Sequence, residues 1–291
     1  MSLRIIMVPL FDVDADDTAL AAAFAIARRF DAHVVGLFVR PDLRSAAPVT
    51  GEGGSRTVMG DPLMHVIEAE IVRRRDNARA RFEAARAAAG VPCVDAQPGL
   101  GSSSAQWREV GGRYEEVIPE EAGLADLVVF GHGEGTPDAV DVRRVAVEAA
   151  LLGGGRPLLL APRAPPQRIG YQIAIAWNGS LEAVRALTGA MPFLERAASV
   201  SILTAETWRT RAGAGVALAG YLDWHGIAYE RQPVEVRGEP VGAAVLRAAG
   251  ESSADLLVMG GYGRTRLGKM VPGGVTGHVL MHARLPVLMA H

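Results

Sequence analysis

The sequence predicts an α/β fold built as two tandem domains, each a five-stranded parallel sheet with helices on both faces. Three observations carry this prediction. Short apolar runs alternate with stretches of helical periodicity along the whole chain. The end of each half repeats the other's pattern at one constant offset. A proline-rich stretch, Arg163-Ala164-Pro165-Pro166-Gln167-Arg168, separates the halves. The boundaries read from it are 1–163 for repeat 1 and 168–291 for repeat 2.

Taken in order, residues 3–9 form a short Ile/Val-rich run suited to a buried strand. Asp14, Asp16, Asp17 and Thr18 follow as helix-start residues, and Leu20, Phe24 and Ala27 recur at helical spacing. A second strand is expected over 33–39. Residues 64–89 read as a long helix, with Ile67, Ile71, Ala78, Phe82 and Ala85 on one side and Gly90 closing it. Trp107-Arg108-Glu109-Val110 reads as a strand, followed by Gly111-Gly112 and a helix from Arg113.

The order returns in repeat 2. Residues 171–177 read as a strand, Asn178-Gly179-Ser180 as a turn and helix cap, and Leu181, Val184, Leu187, Met191 and Leu194 as a helical stripe that Pro192 should distort or shorten. A strand over 199–204 and a helix over 212–225 follow. An arrangement like that around Trp107 is expected at 234–238. The run Ala125-Asp126-Leu127-Val128-Val129-Phe130-Gly131 parallels Ala254-Asp255-Leu256-Leu257-Val258-Met259-Gly260. Arg156-Pro157-Leu158-Leu159-Leu160-Ala161 likewise parallels Leu285-Pro286-Val287-Leu288-Met289-Ala290. Both pairs stand 129 residues apart. Strands alternating with helices imply right-handed crossovers and a doubly covered sheet. Ligands in such sheets sit beyond the carboxyl ends of the strands, at the switch in strand order, so the loops after the first and fourth strands matter most.

Composition narrows the function. The chain has 291 residues, 49% hydrophobic and 21% charged, with a formal net charge of −2. It lacks the basic field of a general nucleic-acid or membrane-surface binder. Arg73-Arg74-Arg75 reads as a solvated helix face. The single cysteine, Cys93, cannot form an internal disulfide and reads as a structural thiol in a reducing compartment. No apolar run approaches the roughly 18 residues of a membrane span, and a cytoplasmic location is expected.

The chemistry concentrates after the fourth strand of repeat 2, in Gly260-Gly261-Tyr262-Gly263-Arg264-Thr265-Arg266-Leu267-Gly268-Lys269-Met270-Val271-Pro272-Gly273-Gly274-Val275-Thr276-Gly277-His278. Glycines let backbone approach a phosphate closely. A helix starting near Gly274 offers free N–H groups and a positive dipole end, and Thr276 adds a hydroxyl in its first turn. Arg264, Arg266 and Lys269 add positive charge. This is neither a Walker loop nor the dinucleotide pattern of a first βα turn. The equivalent stretch of repeat 1 carries Glu134, Asp138 and Asp141, which would repel phosphate. Its first-strand loop reads Leu10-Phe11-Asp12 where repeat 2 has Asn178-Gly179-Ser180. Repeat 1 is therefore expected to be degenerate and structural.

Gly260, two residues, Gly263, nine residues, then Gly273, after a strand ending in Val258-Met259-Gly260, resembles the loop of the nucleotide-binding universal stress proteins. The likeness runs through Val275-Thr276 and the Pro286-Val287-Leu288 strand, and with the tandem layout and the Trp177-Asn178-Gly179-Ser180 turn it covers essentially the whole chain. It implies the universal stress protein, adenine-nucleotide alpha hydrolase-like fold, with ATP in repeat 2 and Mg2+ on its phosphates. Gly260, Gly263, Arg264, Gly273, Gly274, Val275 and Thr276 would form the phosphate and ribose loop. Asn178 would contact the nucleoside, and Ala176, Trp177 and Met259 would line the base, although Trp177 reads equally well as core. Gly274 stands where the family carries Ser or Thr, and Asn178 where it often carries Asp. The resemblance further implies a stress-response binding module that dimerises, or an intrachain pseudo-dimer paired through the fifth strands. A weak ATPase or nucleotidyl-transferring enzyme is the alternative, for which no general base stands beside the loop. A non-nucleotide scaffold is the third reading.

Other signals carry less. His278 and His282 are four residues apart on a helix but lack a third metal ligand. His132 follows a strand end without a nucleophile partner. Gly101-Ser102-Ser103-Ser104 reads as a flexible connection.

Overall fold

The computed structural model describes residues 2–42, 61–94, 101–133, 142–205, 214–261 and 274–291. The first half forms β1 (Ile5–Leu10), α1 (Ala15–Phe30), β2 (His33–Pro41), α2 (Asp61–Ala89), β3 (Ser104–Gly112), α3 (Tyr114–Ala122), β4 (Leu127–Gly131), α4 (Val142–Gly153) and β5 (Leu158–Ala161). The second half repeats the order: β6 (Gln172–Ala176), α5 (Leu181–Leu194), β7 (Ser199–Ala205), α6 (Ala214–Trp224), β8 (Glu230–Val234), α7 (Val241–Glu251), β9 (Leu256–Gly260), α8 (Val275–His282) and β10 (Val287–Ala290).

Within each half every strand pairs parallel, and the two halves join into one sheet of order β3-β2-β1-β4-β5-β10-β9-β6-β7-β8. Among the described residues, the single antiparallel pairing is at its centre, where Val287, Leu288 and Met289 face Leu160, Leu159 and Leu158. These central strands are covered on both faces and are apolar throughout, as a doubly covered sheet requires. One core cluster packs α1, α2, α5 and α6 against one face; the other packs α3, α4, α7 and α8 against the opposite face.

The ends of α1 and α5 add a reciprocal clasp between the halves. Arg29 donates to the carbonyls of Ile169 and Arg196 at 2.6 and 2.8 Å, and Arg196 donates to the Arg29 carbonyl at 2.7 Å. The Arg29 guanidinium lies 4.1 Å from the Tyr171 ring centroid, and Phe30 meets Phe193 edge-on at 5.0 Å.

Several local expectations change. The third strand of repeat 2 is β8, ending at Val234 rather than starting there. Its sequence Glu-Arg-Gln-Pro-Val buries only its last residue, so an edge strand gave no apolar signal. Ser104 is not a flexible connection: it opens β3, is buried, and its hydroxyl lies 2.8 Å from His33 Nδ1. Cys93 is exposed and bridges to Ala105 through backbone, so its sulfur packs no core. Pro192 is accommodated two residues before the end of α5. Among the described residues, no helix is long and apolar enough to cross a membrane.

Candidate nucleotide site

The strand order reverses between β6 and β9, where Ala176 and Met259 are register partners at the carboxyl ends of the two strands. Both pack toward the face covered by α7 and α8. Trp177, one residue on, is buried in the opposite core with α5, and its N–H donates to Leu203 at 2.9 Å. The structure thus places Ala176 and Met259 together and gives Trp177 to the core on the other face.

The turn after β6 is held by its own polar side chains. Asn178 Oδ1 accepts from the Ser180 N–H at 3.0 Å, and Ser180 Oγ caps α5 by accepting from Ala183 N–H at 3.2 Å. Gly179 between them has φ +72°. Asn178 is exposed. Gly260 has a packing reason independent of any ligand. A Cβ there would stand 2.7 Å from the Ala183 nitrogen, so the first turn of α5 crosses the end of β9 at backbone distance.

Gly274 is the N-cap of α8, with extended backbone and no side-chain cap. Among the described residues, a Cβ built on it meets nothing within 4 Å, and the first amides of α8 have no intrahelical acceptor. Val275 and Thr276 form the first turn, and Val279 anchors the helix in the core. Gly263, Arg264 and Gly273 lie outside the described residues, as do Arg266, Lys269, Glu134, Asp138 and Asp141.

Repeat 1 is filled at the corresponding places. Ile6 pairs with Leu127 as Ile173 pairs with Leu256, which makes Phe11 the counterpart of Asn178 and Asp12 that of Gly179. The sequence alignment of this loop was therefore one residue out. Asp12 keeps the positive φ, at 59°. The Phe11 ring is buried, 6.3 Å from Phe130, the counterpart of Met259, and 5.7 Å from Tyr114. Above the end of β4, Arg143 donates to the carbonyls of Gly131 and Gly133 at 2.6 and 3.0 Å. A guanidinium thus covers the strand end where repeat 2 has its glycine loop. Under the same loop, Asp16 is 2% exposed and accepts from the N–H groups of Phe11 and Val13 at 2.9 and 3.2 Å. Burial pushes its pKa up to about 6, against the lowering effect of those hydrogen bonds.

Sequence reasoning missed Phe11 and Arg143 as fillers. Phe11 could have been found from the strand register; Arg143 carries no signal, because an arginine in a helix start reads as solvated. His278 and His282 stack at 4.2 Å between centroids, and no group of three metal-ligating side chains occurs among the described residues.

Residues 174–291 match the model of the universal stress protein family. Among solved structures, the chain is similar to a universal stress protein from Archaeoglobus fulgidus DSM 4304, with TM-score 0.70 and 14% identity, covering 98% of this chain and 97% of that one. It is also similar to a functionally unknown protein from Pseudomonas aeruginosa PAO1, with TM-score 0.53 and 16% identity, covering 98% and 92%. No curated protein matches it. Residues 174–291 thus match the universal stress protein domain, and the fold of the whole chain is similar to that of a universal stress protein.

Proposed function

We propose that this chain is a regulatory binding module that holds an adenine nucleotide, ATP, in repeat 2 alone. The observation that carries the reading is the contrast at equivalent positions. Beside the β6/β9 switch point stand an exposed Asn178 and an uncapped α8 opening at Gly274. The β1/β4 switch point holds the buried Phe11 ring and the Arg143 guanidinium. The α8 amides and dipole suit phosphate, and Ala176 and Met259 give the base an apolar floor. In this reading Gly263, Arg264, Gly273 and Thr276 complete the phosphate loop, and Mg2+ travels on the phosphates. Residues 1–163 and 168–291 are the two units, and the β5–β10 pairing makes them a pseudo-dimer within one chain; association of whole chains and a cytoplasmic site of action go with it.

Calorimetry with ATP and Mg2+ tests the proposal. One site per chain is expected, lost in Gly263→Val with thermal unfolding unchanged. Two sites, no heat, or full affinity in the variant each overturn it.

A further inference from the structure

The pseudo-twofold at the β5–β10 seam leans each repeat's helix after its fourth strand over the other repeat's fourth-strand exit. On one side, a Cβ on Gly261 would stand 3.1 Å from Leu151 of α4. On the other, the counterpart of Gly261 is His132, and the counterpart of Leu151 is Leu280 of α8. The seam is thus symmetric in backbone and asymmetric in chemistry: a glycine on one side, an imidazole on the other.

The His132 N–H donates to the Ala161 carbonyl at 2.9 Å, which fixes the residue at the end of β4. Arg163 Nε–H donates to His132 Nδ1 at 3.4 Å. Guanidinium has no acceptor, so Nδ1 must carry the lone pair and Nε2 the proton. Burial lowers the pKa of the ring most; the Leu280 and Met281 backbone carbonyls act against it, and the Arg163 and Arg143 guanidinium groups act with it. Nε2 is buried and has no hydrogen-bond partner among the described residues. The backbone carbonyls of Leu280 and Met281 act on the ring as hydrogen-bond acceptors. These belong to the last turn of α8, whose carbonyls have no intrahelical acceptor role left to fill. A buried donor from repeat 1 therefore stands near backbone acceptors at the end of the helix whose beginning lies at the proposed nucleotide site.

We infer that His132 is a positioning residue: its Nε2–H, supplied by repeat 1, tethers the C-terminal turn of α8 and so sets the position of the α8 N-terminus in repeat 2. A buried donor without an acceptor is costly, and a small closing shift of α8 satisfies it. Ligand binding at Gly274 and closure at His132 then act on the two ends of one short rigid helix, and each favours the other. The link to affinity rests on the nucleotide reading above; the tether itself does not.

The test uses the full chain without nucleotide. Hydrogen exchange is measured across 275–283 in wild type, His132→Leu and His132→Gln, since the glutamine amide keeps a donor near the place of Nε2. Exchange about fivefold faster in the leucine variant, with the glutamine variant within twofold of wild type, is expected. Equal exchange in all three, or a glutamine variant as labile as the leucine one, overturns the tether. Nitrogen-15 NMR adds a second reading: the Nε2–H tautomer is expected, and the Nδ1–H tautomer overturns it. ATP titration of the same proteins should show about fivefold weaker binding for His132→Leu only. A wild-type chain that binds no ATP sinks the proposed function, while the exchange result still decides the tether.

Discussion

The two switch points of this chain have the same backbone and opposite contents. At both, a glycine ends the fourth strand because the helix after the first strand crosses it: a Cβ on Gly131 would stand 1.8 Å from the Ala15 carbonyl oxygen, and one on Gly260 2.7 Å from the Ala183 nitrogen. At both, the second loop residue has positive φ, whether Asp12 or Gly179. Above that shared floor, repeat 1 places aromatic rings and a guanidinium, and repeat 2 places an exposed amide and a helix start whose N-cap glycine brings no side-chain cap. The comparison teaches that glycine at a strand end can be demanded by packing alone. What separates the candidate site of repeat 2 from its counterpart in repeat 1 is the next layer of side chains.

The sharpest way to break the shared floor is to add one methyl group to each. Gly131→Ala places Cβ inside backbone that cannot retreat without moving α1, and a loss on the order of 4 kcal/mol or failure to fold is expected. Gly260→Ala meets backbone less closely and should cost roughly 2 kcal/mol. Urea unfolding gives both values. Equal costs would mean that the two crossings are not as different as the distances imply.

Asp16 sharpens the contrast through pH. Its counterpart under the repeat 2 loop is Ala183, so only repeat 1 carries a buried carboxyl there. Its folded pKa of about 6 lies above the unfolded 3.8, so the fold favours the protonated form. The stabilisation is fully present below the unfolded value and is lost as pH rises through the folded one. Relative to wild type, Asp16→Asn should gain stability on the order of 3 kcal/mol between pH 4 and pH 7, and no more above that. Denaturation across this range checks it; a gap independent of pH would show that Asp16 folds as an ordinary ionised acid.

Much of this architecture was legible in the sequence, for identifiable reasons. Buried strands such as Leu127-Val128-Val129-Phe130 announce themselves by apolar runs, and the constant offset between halves fixed their equivalence. The edge strand β8 was misplaced because an edge buries little and so needs no apolar pattern. The candidate site was half legible. Gly274 and Asn178 stand out as loop chemistry, whereas the plugs of repeat 1 act through three-dimensional register and a reach across a loop. Trp177, which reads from sequence equally well as pocket or core, has its ring in the opposite core, as strand alternation directs.

Exchanging the plugs tests whether they decide occupancy. Asn178→Phe should reproduce the Phe11–Phe130 arrangement over Met259 and weaken ATP binding by at least about 30-fold, the equivalent of ~2 kcal/mol. Phe11→Asn with Arg143→Ala removes both plugs from repeat 1 but leaves its acidic loop residues, so no second site should appear by calorimetry. A second site would show that the plugs, and not the loop, silence repeat 1.

The smallest expected effect is also the most discriminating. Gly274 has extended backbone that serine adopts without strain, and a Cβ there meets nothing within 4 Å among the described residues. A serine hydroxyl there can cap α8, for which a gain of only a few tenths of a kcal/mol over glycine is usual. The same hydroxyl can donate to a phosphate held at the helix start, a charge-assisted bond that should tighten ATP binding about fivefold. The two effects separate cleanly, because capping needs no ligand and the phosphate contact does. In repeat 1 the residue at this offset is Val145, inside α4 rather than at its start, so Val145→Ser has neither role. If Gly274→Ser stabilises the free protein and leaves ATP affinity where it was, α8 points its amides away from the phosphates, and the open helix start of repeat 2 is a feature of the fold rather than of the site.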